Sequence, residues 1–146
     1  MAYIDNSEIK SILKDTTYNV CPNDIVLEFD KYLNSLPWAA STLKWDSIKN
    51  HQELNLNKVK DEDILPWVDR QPIGYHSHIV IWYNDKEPAL ILERDFAINN
   101  LFLLYSCAPG SRFMFGANKK DDSGFEFCMR DFLEFNGGDF LRSGSM

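Results

Sequence analysis

Several things are missing from this sequence, and each absence removes a class of function. No apolar run reaches the ~18 residues of a membrane-spanning helix. The N-terminal MAYIDNSEIK has neither the basic start nor the apolar stretch of a signal peptide, so a cytoplasmic protein that does not engage a membrane is expected. Cysteine is scarce: Cys21, Cys107 and Cys128 are an odd number without CxxC spacing, which predicts neither a disulfide framework nor a zinc site. GxSxG, Walker A, GxGxxG and HExxH patterns are absent, which takes the main support from hydrolase, nucleotide-binding and metalloprotease readings. Clustered base is lacking too. With 15 Lys and Arg against 22 Asp and Glu the formal charge is −7, unsuited to gripping a phosphate backbone, so nucleic acid is not an expected partner.

What remains is a chain rich in core-forming residues. Aromatics make up 14% of it, far from the composition of a disordered protein, and its length suits one domain, residues 1–146. The stretch His76 to Tyr105, which holds the longest apolar run, sets the architecture. Ile79 to Tyr83 are β-branched or aromatic and stop at the turn-formers Asn84 and Asp85, which predicts a strand over His76 to Tyr83. Ala89 to Glu93, entered through Pro88, predicts a second strand; being apolar on both faces, the two belong in the covered middle of a sheet. Asp95 then offers an N-cap to a helix carrying Ala97, Leu101, Leu104 and Tyr105, ended by Pro109-Gly110.

Before this unit, Asp5 and Glu8 at capping-box spacing introduce a short helix with Ile9, Ile12 and Leu13 on one face. Ile25, Phe29, Tyr32, Leu33 and Leu36 form the stripe of a longer helix that Pro37 ends, with Glu28, Lys31 and Asn34 toward water. Leu36 to Leu56 fits no period, beyond one short strand near Thr42 to Trp45, and the polar His51 to Asp63 reads as a mobile loop or helix start. After the unit, Arg112 to Gly116 reads as a strand, Ala117 to Gly124 as an exposed hairpin loop, and Phe125 to Arg130 as an alternating, half-buried strand. A helical turn is predicted within Asp131 to Leu141 and a frayed tail after it. The predicted fold class is α+β: a central antiparallel sheet of about four to five strands, with N-terminal helices and one mid-chain helix packed against it.

Candidate chemistry concentrates at His76-Ser77-His78. Two histidines two apart on one strand point the same way and can reach one metal ion, but no further ligand is placed by the sequence, so no metal or cofactor is assigned. Cys107 at a predicted helix end and Cys128 beside acidic neighbours both sit where a thiolate is disfavoured, and no catalytic residue is assigned either. Surface charge is the stronger lead. Between Asp121 and Asp139 the acids Asp121, Asp122, Glu126, Asp131, Glu134 and Asp139 face only Arg130, a net of −5, and a field of one sign steers a basic partner. Asp61, Glu62 and Asp63 form a second acidic run, followed by Trp67, the tryptophan expected at the surface as an aromatic anchor.

A small, acidic, aromatic-rich α+β chain without catalytic machinery resembles the immunity proteins of bacterial polymorphic toxin and contact-dependent inhibition systems. The resemblance implies a non-enzymatic, antitoxin-type protein that binds and occludes a cognate toxin, often a basic nuclease. The expected partner-binding residues are Asp61, Glu62, Asp63, Trp67, Asp121, Asp122, Glu126 and Asp131. The alternatives are a small metal-dependent enzyme using His76 and His78, and an adaptor subunit that oligomerises through its aromatic surface.

Overall fold

The computed structural model describes residues 7–14, 16–39, 42–82, 89–106, 113–122, 124–136 and 140–145. It begins with helix α1 (Ser7–Ile12), strand β1 (Asn19–Val20) and helix α2 (Asn23–Ser35). The small hairpin β2 (Trp38–Ala39) and β3 (Thr42–Leu43) follows, then a 3-10 turn over Trp45–Ser47 and strand β4 (Asn50–Asn55). A 3-10 turn over Asp61–Asp63 leads into helix α3 (Ile64–Asp69), and another over Pro72–Tyr75 leads into β5 (His78–Ile81) and β6 (Leu90–Glu93). Helices α4 (Arg94–Asn99) and α5 (Leu101–Ser106) precede the long strands β7 (Phe113–Asp121) and β8 (Gly124–Asn136), and β9 (Phe140–Ser145) closes the described chain.

The fold is mixed α and β around an antiparallel sheet of seven strands, in the order β1-β6-β5-β7-β8-β9-β4. Alternation along each strand sends side chains to opposite faces, and both faces are covered. Ile79, Ile81, Leu90, Leu92, Met114 and Leu133 pack with Ile9 of α1, Val68 of α3 and Ala97 and Leu101 of α4 and α5. Val80, Ile91, Phe115 and Phe132 pack on the other side with Phe29 and Leu33 of α2 and with Leu43 and Ile48. As predicted, β5 and β6 lie in the covered part of the sheet, because a strand apolar on both sides can be satisfied only between two layers.

The α2 stripe also behaves as expected: Phe29 and Leu33 are buried while Glu28, Lys31 and Asn34 are exposed. Leu36 turns extended at φ −80°, ψ 160°, because the residue before a proline is barred from continuing the helix. The Trp38 indole then donates at 2.7 Å to the Leu33 carbonyl, which also accepts the Leu36 N–H at 3.1 Å, so both bonds close the helix end.

The sheet is larger than the four to five strands predicted. The extra strands are short or polar: β1 has two residues, β4 reads NHQELN, and β9 reads FLRSGS. Thus a portion of the expected mobile loop His51 to Asp63 is β4, and the expected frayed tail is a paired strand. Its Gly144 is needed there, since a Cβ would lie 2.6 Å from Cζ of the buried Phe132 ring. The helical turn expected within Asp131 to Leu141 is strand as well; Phe132 serves one face of the sheet and Leu133 and Phe135 the other, which in sequence looks like a helical cluster. The expected loop Ala117 to Gly124 is mostly β7, with Asp121 pairing Gly124 at φ 144° to close the hairpin. The single mid-chain helix is two, broken at Asn100, whose amide side chain donates to the Phe96 carbonyl at 2.9 Å. Asp5, Tyr83, Asn84, Asp85, Pro88, Cys107, Pro109, Gly110, Arg112 and Asp139 lie outside the described residues.

Candidate functional site

The chemistry-bearing residues gather where the turn before β5 meets the β7–β8 pair. Phe115 pairs with Phe132 but the next residue, Gly116, pairs with Cys128. Residues 129–131 are therefore extra on β8, a bulge that re-aims side chains next to it. His76 ends the 3-10 turn in extended conformation, and its ring lies directly on Gly116, where a Cβ would come within 2.4 Å of its Cδ2. Across that glycine, His76 Nε2 meets Asp131 Oδ2 at 2.7 Å, and the Cys128 thiol donates to the same oxygen at 3.4 Å. Asp131 Oδ1 accepts from the Ser145 hydroxyl of β9 at 2.8 Å.

Asn118 fixes the tautomer. Its Oδ1 accepts the Ser77 backbone N–H at 3.0 Å, so it is the amino group that lies against His76 Nδ1, at 2.7 Å. That nitrogen must therefore be the acceptor, leaving Nε2–H to donate to Asp131. Burial pushes the Asp131 carboxyl up, but hydrogen bonds from His76, Ser145 and Cys128 outweigh it and leave the group below its ordinary range. The Cys128 thiol is pushed up, by burial first and then by the Asp131 carboxylate, as its acidic neighbours predicted. Cys21 is pushed up to about 12 by burial, with Asp24 adding to it.

His76 Nε2, Cys128 Sγ and an Asp131 oxygen lie within 4.8 Å of one another, close enough to converge on one ion. The hydrogens are arranged against it. A metal on Nε2 would move the ring proton to Nδ1, where it would face the Asn118 amino group, whose orientation the Ser77 N–H holds. The cluster thus satisfies itself: both imidazole nitrogens, both carboxylate oxygens and both ends of the amide are engaged.

His78 goes elsewhere. It pairs with Ala117, the neighbour of Gly116 on β7, and so lies on the opposite face of the sheet from His76. Its Nδ1 is 2.7 Å from the Ser77 hydroxyl and its ring meets Phe125 edge-on at 5.0 Å. Burial lowers its pKa, with Glu93 opposing and Lys119 assisting. The two histidines were expected to point the same way, but His76 precedes the strand and strand alternation does not govern it.

The expected partner-binding residues fall into separate groups. Asp121 and Asp122 are exposed at the β7–β8 hairpin, and Glu126 is exposed on β8. Asp61, Glu62 and Asp63 are exposed at the turn before α3, where Asp63 Oδ2 also accepts the Lys60 N–H at 3.1 Å. Asp131 is committed to the internal network. Trp67 is not the surface anchor expected: it is only 9% exposed and packs in the core, because α3 is a helix and not a loop and turns that position inward.

Tyr75, which no sequence pattern singles out, is the most exposed aromatic among the described residues, at 82%, ahead of Phe102, Tyr18 and Trp38. It is pushed outward because Gly74 seats tightly on α3, where a Cβ would fall 2.4 Å from the Val68 carbonyl oxygen. The signal available was a glycine-tyrosine pair between a proline turn and a strand, which marks a tight turn but not its direction. Tyr75 borders a depression that His76 and His78 both line, together with Glu93, Arg94 and Asp95. A second depression shares His78 and Glu93 and reaches Lys119, Asp121 and Asp122. Of the bases, Arg94 is engaged by Asp69 and Asp95 and donates to the Gly74 carbonyl. No family model matches the chain, and no curated protein matches it in sequence. No described helix is long and apolar enough to cross a membrane.

Proposed function

We propose that this is a non-enzymatic immunity or antitoxin-type protein, which neutralises a cognate basic protein toxin by covering it with an acidic, aromatic-bearing surface. The observation that carries this reading is a pair of depressions that share His78 and Glu93 in their walls. Tyr75, Glu93 and Asp95 line one of them beside Arg94, and Glu93, Asp121 and Asp122 line the other beside Lys119. A large exposed aromatic with Glu93 and Asp95 in the same depression suits a partner whose site is built of Lys and Arg. The aromatic supplies the desolvated anchor, and the carboxylates supply steering and register. Glu126 on β8 and the Asp61–Asp63 run before α3 add exposed carboxylates elsewhere on the surface.

The reading is tested by co-expressing the protein with the product of its neighbouring reading frame and measuring growth protection and complex formation. A tight, stoichiometric complex is expected. Lysine at both Asp121 and Asp122 should slow association and flatten its salt dependence. Tyr75→Ala should speed dissociation, with a loss of about 2 kcal/mol if Tyr75 is a central anchor. No protection and no complex would end the proposal.

A further inference from the structure

A sheet has two edges, and this one treats them differently. The β1 edge is two residues long, which is one way of denying a template to another strand. The β4 edge is six residues long, and among the described residues no strand pairs with its outer side. Asn50, His51, Gln52 and Glu53 are all exposed in succession, whereas β5 and β6 bury consecutive residues on both faces. The first four residues of β4 are therefore solvent-facing, with His51, Gln52 and Glu53 bordering a depression walled by Leu43 to Ser47 and the His51 ring held to the Ile48 carbonyl at 2.9 Å.

We infer that β4 is a self-association edge, through which two copies of this chain pair antiparallel about an axis at His51 and continue the sheet from one copy into the other. The charge pattern favours this occupant. Edge strands commonly carry charges that repel a second strand, but here they complement one another. Pairing about His51 sets Lys49, in the bend immediately before β4, opposite Glu53 of the other copy, twice by symmetry, and Asn50 opposite Gln52. Glu53 is already held from within its own sheet by Arg142 Nε at 3.1 Å, so it is pre-positioned beside the edge to receive Lys49. An isologous contact of this kind closes at two copies and does not propagate. Contacts of this extent belong among small, transient interfaces, so the dimer should form reversibly with concentration.

Sedimentation velocity of the full chain over a concentration series tests it. A reversible monomer–dimer equilibrium is expected, together with slower hydrogen exchange of the residue 50–54 amides at high concentration. Lys49→Glu and Glu53→Lys should each weaken association about tenfold by replacing two attractive cross-strand pairs with repulsive ones. The double exchange should restore it. Should Glu53→Lys unfold through loss of the Arg142 contact, Lys49→Glu alone with the exchange measurement carries the test. A monomer at every concentration, or a dimer indifferent to these charges, overturns the inference.

Discussion

His76 and Asp131, 55 positions apart in the chain, are joined by an Nε2 to Oδ2 hydrogen bond of 2.7 Å, with side chains only 13% and 18% exposed. The bond ties the turn before β5 to the β8 bulge, and Ser145 carries the tie on to β9. Asp131→Asn should cost about 1–3 kcal/mol, because it strips charge from three hydrogen bonds in a half-buried site. Urea unfolding at neutral pH measures this. The folded carboxyl lies below its ordinary value of about 3.9, so its contribution is present above that value and is lost as pH falls through the lower, folded value. The variant should lack that component of the acid limb.

Gly116→Ala tests the seat of the same imidazole. The new Cβ would meet Cδ2 and Cγ of His76 at 2.4 and 2.7 Å, too near the ring's root for a small rotation to relieve. A loss of about 1–3 kcal/mol is expected from overpacking, read by thermal or denaturant unfolding. An unchanged midpoint would mean that the ring does not rest on this glycine.

Trp67 and Tyr75 should respond in opposite ways. Trp67→Ala opens a cavity in the core beside Ile64 and Val68 and should cost about 3–5 kcal/mol. Tyr75→Ala should leave stability within about 0.5 kcal/mol, since its ring is largely in water. Matched unfolding curves of the two variants check this directly.

His78 supplies a second pH-dependent step, at higher pH than Asp131. Burial holds its folded pKa below the ordinary histidine value of about 6.5, so the unfolded chain takes up a proton first as pH falls. The associated stability is complete above about pH 6.5, declines below it, and levels off under the folded pKa. His78→Gln should flatten the stability profile in that window, and a profile unchanged by the substitution would exclude His78 as its source.

Local pattern made the strongly periodic elements legible. Phe29 and Leu33 recur at helical spacing and a proline follows, which is enough to place α2 and its buried face. The apolar runs of β5 and β6 require cover on both sides wherever they pair. Edges lack such signals: β4 and β9 are polar or glycine-containing, and their strand character comes from the partner beside them. Propensity is weak where pairing decides.

Composition by itself determined the net negative charge, the scarcity of cysteine and the apolar centre, because these are properties of residues wherever they lie. Tertiary structure alone decided which residues meet. The β8 bulge brings Cys128 and Asp131 to His76, the start of β5 at His78 sends the two histidines to opposite faces, and the packing of α3 buries Trp67 while Gly74 turns Tyr75 outward. Each of these depends on register or on close approach between distant segments, and no local window of sequence contains that information.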